Sequence, residues 1–221
     1  MEWFEELGFT ENPFDTDASF SARFSAGLES QMEELDYLVK SASFVFVQGE
    51  PGSGKSVLLR LLAEKLGGRA LFIDASSGAD IRSAVKSKVS IFGSLFGKSP
   101  KNLVVLVDNA SALSPDAFEL IKFNYDNNIF TAVFLAGSSL KTAKLPASIV
   151  DRIGSRVVSI PALSEDAALM MARRRMGASE LLDDAALRKI YKTSGGNARK
   201  FLQLCEEAAR SLHVKVGEIN G

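Results

Sequence analysis

Eight consecutive residues, Gly49-Glu50-Pro51-Gly52-Ser53-Gly54-Lys55-Ser56, satisfy every fixed position of the pattern G-x-x-x-x-G-K-[ST]. The chemistry this spacing supports is the holding of a nucleoside triphosphate. Successive backbone N–H groups and a helix N-terminus converge on the phosphates, and any side chain larger than glycine's hydrogen holds the backbone away from them. Gly49, Gly52 and Gly54 permit that approach, with Glu50, Pro51 and Ser53 completing the loop. Lys55 places a cation at the β and γ phosphates, and the Ser56 hydroxyl ligates a bridging Mg²⁺. The expected cofactors are therefore ATP and Mg²⁺, with ATP/ADP as the small-molecule partner.

Such a loop works only between a strand and a helix, and both are legible. Phe44-Val45-Phe46-Val47 is a short apolar run of β-formers, while Val57 to Leu66 is apolar at helical spacing and stops at Gly67-Gly68. Leu103 to Val107 is a second apolar run and ends in Asp108, an acid placed to hold Mg²⁺ through its water shell, so Ser56 and Asp108 form the expected metal pair. Asn109 follows. An amide can orient a water but cannot take its proton. If turnover is brisk, Glu50 or Asp74 is the substitute acid.

Three further apolar runs, at residues 69–75, 129–136 and 157–160, alternate with helical patterns at about Ala79–Ile91, Ser114–Asp126 and Leu145–Arg156. The expected fold is α/β, a five-stranded parallel P-loop sheet flanked by helices. The fourth strand runs into Gly137-Ser138-Ser139, whose hydroxyls can face a γ-phosphate or its water. Arg152 and Arg156, four apart, share one helical face if the helix extends that far. Gly93–Lys101 is read as a loop. From Ser164 the pattern is helical only, with segments to about Met176, Asp183–Thr193 and Ala198–Leu212. Residues 1–163 are thus expected as the core and 164–221 as a small all-helical lid. Arg199 falls in the first turn of the last helix, where the macrodipole disfavours a cation, and this hints that something else recruits it.

Residues 1–24 are rich in aromatics but broken by Gly8 and Asn12-Pro13, which predicts an irregular strap anchored by large apolar side chains, with Asn12-Pro13-Phe14 placed beside a nucleotide base. Arg173-Arg174-Arg175 is read as a solvated helix face.

Composition narrows the function classes. With 26 basic and 27 acidic residues the net charge is −1, so no global field holds a polyanion and any nucleic-acid contact is local. The one cysteine, Cys205, excludes an intramolecular disulfide and a cysteine-rich zinc site and suits a reducing cytosol. The N-terminus lacks a signal-peptide pattern and no apolar run is long enough to span a bilayer, so a cytoplasmic, membrane-free protein is expected.

Five strands alternating with helices, followed by a three-helix tail carrying Gly195-Gly196-Asn197-Ala198-Arg199, resemble the AAA+ ATPases over about residues 10–216. The resemblance leans to the origin-recognition initiators and to the transposition-regulator and secretion-accessory ATPases. It implies Asp108 as the Walker B acid, Ser138 or Ser139 as the sensor-1 residue and Arg199 as the sensor-2 arginine. Arg152 or Arg156 is implied as the finger offered to a neighbouring subunit, and hence a homo- or hetero-oligomer. Asn109 departs from the glutamate of that pattern, which predicts slow hydrolysis. Initiators also carry a winged-helix domain after the lid, for which only about eight residues remain here, so autonomous DNA reading is not expected. The reading is an ATP-dependent assembly or conformational switch. Its rivals are a DNA-bound remodeller contacting DNA through Lys86, Lys88, Lys98, Lys101 and the lid arginines, and a nucleotide-independent interaction module.

Overall fold

The apolar runs form parallel strands because both of their faces are covered, which removes the alternation that a half-exposed strand would need. The computed structural model describes residues 2–41, 43–78, 81–96 and 102–219, with backbone only over 89–96 and 213–219. Strands β1 (Phe44–Gln48), β2 (Ala70–Asp74), β3 (Leu103–Asp108), β4 (Phe130–Gly137) and β5 (Val157–Ser159) form one sheet in the order β2-β3-β4-β1-β5. All pairings are parallel, and their registers align Gln48 with both Gly137 and Ser159, and Asp74 with Asp108. The sheet therefore presents its functional candidates along one edge, the carboxyl ends of the strands.

Two compact units divide the chain, one made of Met1–Leu28, Gly52–Val57 and Pro161–Gly221, the other of Glu29–Pro51 and Leu58–Ile160. The second unit holds the sheet. On one sheet face Phe44, Phe46, Val105, Val107, Val133 and Leu135 join a core with Val85 of α5 (Ile81–Phe96), Phe118 and Ile121 of α6 (Pro115–Asp126) and Ile149 of α7 (Ala147–Ile153). On the other face α3 (Glu29–Lys40) packs against β4 and β5, and α4 (Lys55–Leu66) lays the Arg60 guanidinium 4.2 Å from the centre of the Phe72 ring. Each fully buried Leu, Val or Phe here contributes roughly 1.5–3 kcal/mol. The strands are held by that burial rather than by propensity.

The first unit gathers α8 (Glu165–Met176), α9 (Asp184–Ser194) and α10 (Ala198–Ile219) with the N-terminal residues around Trp3, Phe14, Met171, Phe201 and Cys205. Several expectations need correction here. The strap contains two short helices, α1 (Trp3–Glu6), with a capping box between Glu2 and Glu5, and α2 (Ala18–Arg23), capped by Asp17. Local capping rather than apolar periodicity starts these helices, so a search for periodicity passes over them. Helix α5 runs on through Gly93 to Phe96, which shortens the expected loop, because one helical glycine costs only ~1 kcal/mol; residues 97–101 lie outside the described residues. Helix α7 stops at Ile153 before a Gly154 cap, so Arg156 is not on it. Helix α10 extends beyond Leu212 to Ile219.

The arginine triplet of α8 is not a solvated face. Arg173 pairs with Asp184, and Arg174 donates to the Ser25 carbonyl. Arg175 is buried and donates to the carbonyls of Pro13 (3.1 Å) and Asp15 (2.8 Å) and to Ser21 Oγ (2.8 Å), with the rings of Phe20 and Phe24 against its guanidinium. Burial lowers its pKa to about 10, opposed by the Asp15 carboxylate, so it stays cationic at neutral pH. This guanidinium ties the N-terminal segment to α8.

Replacing it should therefore release the segment. Arg175→Leu leaves two carbonyls and a hydroxyl without their donor, and a loss of about 3 kcal/mol is expected, since hydrogen bonds to charged groups contribute roughly 1.5–3 kcal/mol each. Arg175→Lys should recover little, because an ammonium cannot reproduce the planar fork. Urea unfolding followed by circular dichroism measures both.

Candidate functional site

Strand β1 delivers the chain to the glycine-rich loop, and the loop conformation requires glycine at two places. Gly52 has φ +83° and Gly54 φ +108°, in the region that costs an L-residue roughly 1–2 kcal/mol. Helix α4 begins at Lys55, so Lys55, Ser56 and Val57 form its first turn and its unpaired N–H groups lie at the loop. The Ser53 hydroxyl is buried without a hydrogen-bond partner among the described residues. A buried donor left over at the mouth of a glycine loop, next to a helix N-terminus, is the chemistry a phosphate satisfies. The residues thus fit a phosphate-bearing ligand.

Within the same unit the loop meets α10. The Arg199 backbone N–H donates to the Gly52 carbonyl at 3.1 Å. A Cβ at Gly52 would lie 2.6 Å from Asn197 Oδ1 and 3.0 Å from Arg199 Cβ. Asn197 caps α10 by accepting from Lys200 N at 3.0 Å. Arg199 is exposed in the first turn of the helix. The loop and this arginine are thereby brought together. Asn12, the other expected nucleotide contact in this unit, uses its side-chain oxygen to accept from Phe14 N at 3.0 Å, and Phe14 is fully buried.

The sheet unit carries the remaining candidates. Asp108 ends β3, is 5% exposed, and accepts from Asn109 N through Oδ1 at 3.0 Å. Asn109 has φ 54° and ψ 44°, the left-handed conformation in which asparagine is several-fold enriched over other non-glycine residues. Its Nδ2 donates to Asp74 Oδ1 at 3.1 Å and to Ser76 Oγ at 3.4 Å. Asp74 also accepts from the Ser76 hydroxyl at 2.6 Å, and this bond, with Asn109 assisting, holds its carboxyl below the usual range against the opposing effect of burial. Asn109, the residue after Asp108, is therefore engaged twice, by its backbone and by the neighbouring strand end. Sequence reasoning weighed Asp74 only as a substitute acid and missed Ser76.

Ser138 lies just beyond β4, exposed, and its carbonyl accepts from Gly49 N at 3.2 Å. The two arginines of 152–156 have contacts inside their own chain. Arg152 pairs with Asp126 at 2.8 Å and lies over the rings of Phe44 and Tyr125. Arg156 donates through Nε to the Phe44 carbonyl at 3.1 Å and through a terminal nitrogen to the Arg152 carbonyl. It fastens the chain after α7 to the start of β1. Glu50 and Pro51 lie in the sheet unit with Gly49, at the point where the chain passes to Gly52.

Two outcomes are expected from the Asn109 arrangement. Asn109→Glu should lower stability by about 1 kcal/mol, because it forces a longer side chain into the left-handed region and sets a second carboxylate against Asp74; the thermal midpoint measures it. Asp74, depressed in the folded state, stabilises fully above its unfolded value of ~3.9 and loses that contribution as pH falls through its folded value. Asn109→Ala should therefore raise the Asp74 titration midpoint in a carboxyl NMR titration and reduce the acid-side loss of stability.

No protein-family model matches the sequence. Over 118 residues, 52% of this chain, it is 31% identical to pachytene checkpoint protein 2 of Saccharomyces cerevisiae, of which the match covers 20%. The structure is similar to Cdc6p from Pyrobaculum aerophilum, with TM-score 0.65 and 18% identity over 85% of this chain and 62% of that one. It is also similar to the RuvB Holliday junction branch migration motor of Thermotoga maritima, with TM-score 0.64 and 18% identity over 87% of this chain and 64% of that one. The chain spans less than two thirds of both solved chains and a fifth of the yeast protein. At these identities the likeness fixes the fold: a five-stranded parallel P-loop sheet flanked by helices, with further helices at the C-terminus, is the fold of the AAA+ ATPases, and this chain has it.

Proposed function

We propose that the chain binds ATP with Mg²⁺ at Gly49–Ser56 and uses it as an assembly or conformational switch that turns over slowly. The observation that carries this reading is the glycine loop itself, with left-handed Gly52 and Gly54 running into the first turn of α4 and an orphaned Ser53 hydroxyl at its mouth. Lys55 would hold the β and γ phosphates, and Ser56 with Asp108 would hold the metal, whose charge offsets that developing on the transferred phosphoryl group. Arg199, in the first turn of α10 and tethered to Gly52 through its own backbone, is suited to distinguish a γ-phosphate from its absence.

Slow turnover follows from the chemistry of residue 109. Its amide cannot act as a base, and its Nδ2 is engaged by Asp74 and Ser76, so general-base help typically worth 10²–10⁴-fold is missing. Arg152 is the better candidate for a group offered to a neighbouring subunit, since Arg156 spends its guanidinium on backbone carbonyls. To serve there Arg152 must exchange Asp126 for phosphate.

A DNA-remodelling role is the second reading. Between Asp80 and Asp108 the sequence has five basic residues and no acid, in a chain of net charge −1. Arg82 and Lys86, one turn apart on α5, are both exposed, while Lys98 and Lys101 lie outside the described residues. The RuvB relative in fold is a branch migration motor. A DNA affinity that falls steeply as salt rises, and that weakens in Lys86→Ala, supports this role; an affinity flat in salt excludes it.

Calorimetry with ATP and Mg²⁺ tests the nucleotide reading. Lys55→Ala should bind roughly 10–100-fold more weakly, the loss expected for one charge-assisted bond of about 1.5–3 kcal/mol. Equal affinity in parent and variant would overturn the assignment. Ser56→Ala should lose affinity chiefly when Mg²⁺ is present.

A further inference from the structure

One side-chain amide in the sheet unit is placed where three strand ends meet. Gln48 is the last residue of β1, immediately before Gly49. Its Nε2 donates to Ser159 Oγ on β5 at 3.0 Å, and its Oε1 accepts from Leu140 N, beyond β4, at 3.4 Å. Its backbone carbonyl accepts from Ile160 N at 2.8 Å. The neighbouring Gly49 N donates to the Ser138 carbonyl. Ser138 and Ser139 are thus fixed from two sides, since Ser139 Oγ in turn accepts from Lys141 N and its carbonyl accepts from Thr142.

The position of these bonds in the chain gives them meaning. The chain leaves the sheet unit at Pro51/Gly52 and again at Ile160/Pro161. Gln48 lies three residues before the first crossing, and Ser159 one residue before the unit's last, Ile160. A glutamine is suited to bridge them because its amide carries a donor and an acceptor on one rigid plane, so the two bonds fix each other's direction. Aliphatic or charged side chains of the same length cannot make that pair. The partly exposed position contributes little core burial, so packing alone does not require glutamine there.

We infer that Gln48 is a positioning residue that couples the phosphate-loop strand, the Ser138–Ser139 turn and the chain's exit at Ile160, so that the state of the loop is transmitted to both. This rests on the nucleotide-binding reading. Gln48 touches no phosphate in this role; it sets the place of the Ser138–Leu140 turn and of Ser159–Ile160. Displacements of about 1 Å in such supporting residues can cost on the order of 10²-fold in a reaction, so a modest loosening has a measurable effect.

The test uses the full chain and two variants. Gln48→Met removes both bonds at nearly constant volume, and Ser159→Ala removes one at an exposed strand end. Three quantities are read: exchange of the Leu140 amide without nucleotide, the ATP and ADP affinities with Mg²⁺ by calorimetry, and the thermal midpoint. In Gln48→Met the Leu140 amide should exchange about tenfold faster, the signature of local rather than global opening. The ATP-over-ADP ratio should narrow by about threefold or more, as expected when a differential contact is weakened. The thermal midpoint should hold within about 2 °C of the parent. Ser159→Ala should narrow the ratio less. An unchanged ratio in Gln48→Met, or equal loss of both affinities together with a fallen midpoint, overturns the inference. Should Gln48→Met not fold, an unchanged ratio in Ser159→Ala overturns it alone. A parent chain that binds no ATP overturns the nucleotide reading itself, whereas a parent that binds with the variant's ratio overturns only the role of Gln48.

Discussion

The meeting of the glycine loop with α10 depends on the absence of a side chain at Gly52. The backbone there is left-handed, and the space a Cβ would fill is taken by Asn197 and Arg199. Glycines of such loops are ordinarily explained by the close approach of a ligand. Here one of them is also explained by the close approach of a helix, whose backbone N–H reaches the Gly52 carbonyl. A substitution at this position therefore mixes two effects, loss of the proposed phosphate contact and loss of the helix contact. Gly54 does not share that helix contact, since among the described residues a Cβ there would meet Leu28 at 3.7 Å.

A comparable constraint governs the carboxyl end of the sheet. Parallel pairing sets Asp74 beside Asp108, and two carboxylates on adjacent strands repel unless something separates or neutralises them. Asn109 and Ser76 supply donors to Asp74, while Asp108 receives the Asn109 backbone N–H. The asparagine thus stabilises an acidic strand end that a glutamate would burden with a third charge. Its presence is thereby explained by folding, independently of the slow turnover proposed for the site.

How much of this could be read in the sequence follows from where each piece of information resides. The loop and the alternation of strands with helices were legible because glycine, lysine and serine at fixed spacing, and continuous apolar runs, are local properties. Arg175 was not. In sequence it stands in a triplet of arginines on a helix, and what buries it is the carbonyls of Pro13 and Asp15, some 160 residues away. The left-handed turn at Asn109 had no local signal beyond the residue type, and the amide of Gln48 acquires partners only once β4 and β5 flank β1. The short N-terminal helices escaped because two caps, not a periodic apolar face, start them. Arg156 would share a helical face with Arg152 only if that helix ran past Gly154, and it stops at Ile153.

The burial of Trp3 has a practical consequence. It is the chain's one tryptophan, packed in the core of the first unit and lying 5.4 Å from the Arg210 guanidinium. Indole emission shifts to longer wavelength when the ring meets water, so the native protein carries its own optical reporter of whether the N-terminal segment is seated on α10. The sheet unit contributes no tryptophan to that signal. Cys205, the one thiol, is buried in the same core, and that burial, which also pushes its pKa up to about 12, shields it from maleimides at neutral pH. A single cysteine engineered on the sheet unit could then be labelled without removing the native one, giving two independent colours for the two units of one chain.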